Sequence, residues 1–190
     1  MSSERLAAWV WVTLWATWSF AARGFCAEAL ALHSWVPDFG LALLVMLCAR
    51  APREDLPWLA LVFGFARVAV SIDPPVASLA VAFGAVALAR ALRGIVDAQR
   101  LLPRALLTFV IVLGAELWLT LAHFARLRDE ALAALGGTPE LALPSVFATA
   151  ARAAAATALF VLAFGGALAY LPGLTPLWRE RPWRVGASSR

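Results

Sequence analysis

Four ionisable side chains stand inside long apolar runs of the chain: Asp38, Arg67, Glu116 and Arg152. A charge at the centre of a bilayer costs at least ~2.5 to 3.5 kcal/mol on insertion scales, so such residues turn inward and find partners. Arg67 lies ten residues into its run and Glu116 eleven into its own, both entered from the same side. At ~1.5 Å of rise per residue, both sit ~15 Å deep. The expected pairs are Arg67 with Glu116, and Asp38 with Arg152, which both lie nearer the opposite face. Two isolated pairs lack the chain of acids and histidines that a proton relay requires. The expected chemistry is therefore structural or partner-binding ion pairing.

Other chemistry is sparse. The chain has two histidines, His33 and His123, at dissimilar depths, and one tyrosine. No GxSxG, HExxH, GxxxxGK[ST] or glycine-rich phosphate cradle occurs, so no catalytic residues are expected and the chain is read as a non-enzyme. Cys26 and Cys48 fall near opposite faces of the bilayer in the topology below, which argues against a disulfide. Without a CxxC or Cys/His cluster, neither a metal nor a cofactor is expected.

The elements that position these charges are membrane helices. The 190 residues are 63% hydrophobic and 15% charged, with a mean hydropathy of +0.80. Soluble domains average roughly 45–50% apolar and ~25% charged. All 16 basic residues are arginine. The net charge of +4 would suggest nucleic acid in a soluble protein, but these arginines flank apolar runs, where membrane orientation accounts for them. No nucleic-acid partner is expected.

Six spans follow, at about 6–22, 30–48, 57–72, 76–92, 105–125 and 146–171. The first is short, and Ala27-Glu28-Ala29 has the small-x-small form of a signal-peptide cleavage site. Its four tryptophans are foreign to such a segment, so a retained helix is expected, with Trp11, Trp15 and Trp18 on one face. The second is either Val36 to Cys48, too short to cross alone, or Leu30 to Cys48 kinked at Pro37. The longer form is preferred, because membrane helices tolerate proline. Asp73-Pro74-Pro75 makes a three-residue turn. Ala80 and Gly84 form a small-xxx-small face in the fourth span. Asp129 to Leu135 is expected as a short interfacial helix, and 172–190 as a cytoplasmic tail carrying Trp178 and Trp183. With the N-terminus inside, eleven arginines face the cytoplasm and three (Arg23, Arg126 and Arg128) face outward, so both termini are expected inside.

The stretch from Val36 to Gly94 resembles the bacterial rod shape-determining MreD family of small six-span inner-membrane proteins. The resemblance rests on Val36-Pro37-Asp38-Phe39 opening a short span and on the charged loop Arg50 to Asp55. It continues through Gly64 in FGFARV, a short turn, and the basic close at Arg90 to Gly94. Family members commonly carry an acid a few residues after the glycine, where this chain has Arg67. The resemblance implies a non-enzymatic scaffold of the cell-elongation complex, acting in cell shape and peptidoglycan synthesis. Its partners would be an MreC-like bitopic protein and the wall-synthesis enzymes, in membrane lipid. It also implies a fold like the six-helix substrate-binding subunits of energy-coupling-factor transporters. The alternative function is a small-molecule (vitamin-like) binding subunit of a transporter, which would gather His33, Trp35 and the Arg126 to Ser145 loop over an outward pocket.

Overall fold

A computed structural model describes residues 3–29, 35–92, 100–135, 143–168, 170–174 and 177, with 129–135 described by their backbone alone. The described residues form six α-helices and no strand: α1 Ser3–Ala29, α2 Phe39–Arg50, α3 Leu56–Val70, α4 Pro75–Leu92, α5 Leu101–Leu135 and α6 Leu143–Leu168. A 3-10 turn, Arg53–Asp55, leads into α3. Three of the helices, α4, α5 and α6, are long and apolar enough to cross a membrane.

The centre of the bundle is α2. Every residue from Gly40 to Cys48 is buried, and α2 packs against each of the other five helices. A helix apolar on all sides can be enclosed by protein on all sides without burying an unpaired polar group. At 12 residues it is only ~18 Å long, well short of a bilayer core of ~30 Å. The expected helix kinked at Pro37 does not form. Pro37 precedes α2, and Asp38 is its N-cap, accepting from the Leu41 N–H at 2.8 Å. An N-cap aspartate satisfies one of the orphan amides of the first turn and holds its charge where the helix dipole favours an anion. Capping here fixes the start of the helix more strongly than the apolar run upstream can extend it. Leu30 to Ser34 lie outside the described residues.

The remaining helices wrap this core with one stripe each. On α1 the buried positions are Ala8, Val12, Ala16 and Phe20, spaced by four so that one face turns inward. On α3 they include Leu56, Ala60, Phe63 and Arg67. Contacts fix the directions. Arg5 reaches both carboxylate oxygens of Asp55 (2.6 and 2.8 Å), tying the start of α1 to the start of α3. Thr157 meets Asp38, and a Cβ on Gly165 would lie 3.9 Å from Met46. Thr157 and Gly165 are as far apart in α6 as Asp38 and Met46 are along α2, so α6 runs beside α2 in register.

Three further boundaries differ from expectation. α1 continues through Gly24 to Ala29, since nothing in that segment caps or breaks it. α5 is one unbroken helix through Asp129 to Leu135 rather than a span and a separate interfacial piece. Beyond α6 the chain turns at Gly173, whose φ is +82°, and packs on α1. Trp15 Nε1 donates to the Pro172 carbonyl at 3.1 Å, and Leu174 and Leu177 are buried. That part of the tail belongs to the bundle; Trp178 and Trp183 lie outside the described residues.

Close approach of α1 to α2 depends on Gly40, where an added Cβ would overlap the Phe20 ring. Gly40→Ala is expected to cost about 1–3 kcal/mol by overpacking, seen as a lower thermal transition in detergent. Phe20→Leu in the same chain should recover part of the loss.

Candidate functional site

The charges of the bundle meet around Asp38. Its side chain is fully buried, and Oδ2 accepts from Arg23 Nη1 at 2.8 Å and Arg67 Nη1 at 3.0 Å, while Oδ1 accepts from the Leu41 amide. The Asp38 N–H donates to Thr157 Oγ1 at 2.9 Å, and that hydroxyl donates to the Ala153 carbonyl of α6 at 2.7 Å. Each polar atom of the Asp38 side chain is thereby satisfied, as a buried carboxylate requires.

Each arginine carries the network outward. Arg23 Nη2 lies 2.6 Å from Glu116 Oε1 of α5, a charge contact without hydrogen-bond alignment. Arg67 Nε donates to Asp73 Oδ2 at 3.3 Å, and its guanidinium stands 5.4 Å over the Phe20 ring centre, within cation–π range. The Asp73 N–H donates in turn to Ser71 Oγ at 3.3 Å. Five helices and the α3–α4 turn thus converge on one carboxylate. Asp38 is sealed, whereas the side chains of Arg23, Asp73 and Glu116 remain 27%, 22% and 18% exposed. The network is closed below and accessible at its rim.

Both expected pairings are corrected. Arg67 pairs with Asp38 and Asp73, and Glu116 pairs with Arg23. Arg152 does not meet Asp38 and is exposed, because the inward stripe of α6 runs through Ala150, Ala153, Ala154 and Thr157 and leaves 152 outside it. Arg23, which its place after an apolar run marks as an outer-loop charge, stands there instead. Its signal in the sequence is the α1 stripe, since Arg23 falls three residues beyond Phe20 on the same face. Pro74 and Pro75 act as expected, with Pro75 opening α4, while Asp73 adds an ion pair to its turn role.

A second feature is apolar. Between α4 and α5 runs an open groove of about 380 Å³, lined by Ala80, Gly84 and Ala85 on one wall and Val110, Gly114 and Trp118 on the other. Among the described residues a Cβ on Gly84 or Gly114 would meet nothing within 4 Å, so these glycines do not serve packing between the described helices. Within the bundle α3 and α4 approach closely at Gly64, where a Cβ would come 2.7 Å from Leu79, as α1 and α2 do at Gly40. Among the described residues no group of His, Cys, Asp and Glu could hold a metal. Trp35 is exposed, and His33 lies outside the described residues.

Removing one partner of a buried ion pair leaves an uncompensated charge, typically ~3–5 kcal/mol. Asp38→Ala is accordingly expected to abolish or sharply lower the folded yield, with Asp38→Asn intermediate. In a double-mutant cycle on thermal stability, Arg23→Gln and Glu116→Gln should couple more strongly than Arg67→Gln and Glu116→Gln; the reverse order would contradict the network.

Comparison with family models, with characterised proteins and with solved structures finds no match to the chain.

Proposed function

We propose that the chain is a multi-pass scaffold of the bacterial inner membrane that seats the transmembrane helix of a partner in the α4–α5 groove. The groove carries this reading. It is apolar, it opens away from the bundle, and its walls hold small residues that let another helix backbone come close. The ionic network serves the bundle itself. Its charges are consumed in joining helices, so the buried charge expected to anchor a partner is already occupied within the chain. Six helices of alternating direction, with the segment after α6 returning to α1, support a topology with both ends on one face. The arginine count assigns that face to the cytoplasm.

The finer identity follows the sequence resemblance. A scaffold of the cell-elongation complex, of the MreD kind, would hold an MreC-like bitopic protein and place it relative to wall-synthesis enzymes. Such work needs helix faces and short loops, and it calls for neither nucleophile nor cofactor.

Open space at Gly84 and Gly114 permits a direct test. A tagged full-length chain is co-expressed with the MreC-like protein of the same genome and purified in mild detergent. The partner is expected to co-purify, and Gly84→Leu with Gly114→Leu to lower its recovery at least ~10-fold, about 1.4 kcal/mol, at unchanged yield and thermal transition of the chain. No co-purification, or recovery undiminished by the filled groove, would overturn the proposal.

A further inference from the structure

One end of the bundle gathers arginines. Asp55 holds Arg5, which puts the start of α3 beside the start of α1. The Arg53–Asp55 turn joins that start to the end of α2. Arg104 Nη1 lies 2.8 Å from Met46 Sδ, so α5 begins beside the last turns of α2. α3 and α4 are successive helices in contact, with Gly64 against Leu79 and Ala82, so the end of α4, and Arg90 with it, returns toward the start of α3.

The charge at this end is unbalanced. Among the described residues it holds six arginines (Arg5, Arg50, Arg53, Arg90, Arg100 and Arg104) against three acids, Glu4, Glu54 and Asp55. The connection 93–99 adds one arginine and one aspartate, which cancel. Elsewhere up to residue 177 the sequence has five arginines against seven acids, so the excess belongs to this end. Arg50, Arg100 and Arg104 make contacts within the chain, and these leave the sum of charges as it is.

The excess is presented outward. Arg50, Arg53, Arg90 and Arg100 are exposed, and Arg50 stands near enough to Arg104 for their like charges to act on each other. An anion among them offsets that repulsion, and the guanidinium fork matches phosphate oxygens. Apolar side chains adjoin these charges. Trp58, in the first turn of α3, is 61% exposed, and Leu101 and Leu102, which follow Arg100, are 48% and 64% exposed. A free anion would leave them uncovered. Arginine beside exposed tryptophan and leucine suits an amphiphile with an anionic head and an acyl chain.

We propose that this end of the bundle is a binding rim for anionic phospholipids, whose phosphates sit among Arg50, Arg53, Arg90 and Arg100 and whose acyl chains lie on Trp58, Leu101 and Leu102. Basic residues at the membrane surface attract anionic lipid in this way. The four arginines come from the α2–α3 connection, the end of α4 and the start of α5. Lipid bound among them therefore favours the folded bundle by linkage.

The full chain, purified in a neutral detergent at low salt, tests this by its thermal transition. Phosphatidylglycerol is expected to raise the transition, and phosphatidylcholine with the same acyl chains to raise it much less. Arg53→Gln with Arg90→Gln should need about 10-fold more phosphatidylglycerol for the same rise, and Arg53→Lys with Arg90→Lys should recover most of the response. Arg128→Gln with Arg152→Gln, exposed arginines elsewhere on the chain, should respond as the unaltered protein does. Equal effects of the two lipids would overturn the proposal, as would an unchanged requirement in the Arg53/Arg90 glutamine variant or an equal change in the Arg128/Arg152 variant. Inorganic phosphate matching phosphatidylglycerol would mean a free-anion site, and hexaglutamate matching it would mean an acidic protein partner; either overturns it too.

Discussion

A carboxylate with no exposure to solvent is the constraint on which this bundle is arranged. Asp38 begins a helix too short to cross a bilayer, and an ion at that depth persists only with its lone pairs engaged. The Leu41 amide, two guanidinium groups and the α2 dipole engage them. Supplying the arginines fixes the rotation of α1 and α3, because Arg23 and Arg67 must point inward at one height. Supplying a partner for the Asp38 amide fixes α6 through Thr157. The second hand of each arginine then reaches α5 and the α3–α4 turn. Helix packing in lipid lacks the drive that water gives to apolar contact, so a shared ion network is an effective way to select one arrangement.

The apolar surface divides into two kinds. α2 is enclosed, and small residues such as Gly40 and Gly64 allow the helices to close around it. Gly84 and Gly114 look the same in sequence, yet nothing described in the chain fills the space beside them. One set of glycines builds the bundle and the other leaves a groove on it. That difference is what separates architecture from a surface able to receive another helix.

Much of this is legible in the chain. Apolar runs separated by short charged breaks mark the helices α3, α4 and α6 to within a few residues, and the cost of intramembrane charge marks Asp38, Arg67 and Glu116 as inward-facing. The departures share one cause. Depth reckoned from the ends of apolar runs misplaces the helices, because α1 and α5 run on past those ends and α2 starts late at its cap. Partners assigned by such depths are displaced with them. Arg23 follows an apolar run as a loop charge would, yet its spacing from Phe20 puts it on the buried stripe. Arg152 sits within an apolar run, yet the alanines that face inward leave it outside.

The sequence by itself determined that this is a helical protein with spans apolar enough for a membrane, and that the acids and arginines within its apolar runs call for partners. These follow from composition and periodicity, which act along the chain. Which arginine meets which acid was decided only by the tertiary structure, as was the enclosure of α2 on every side. The same holds for which glycines face a groove. Those depend on the rotation and height of separate helices, quantities that no local spacing encodes and that the single carboxylate of Asp38 sets for five helices at once.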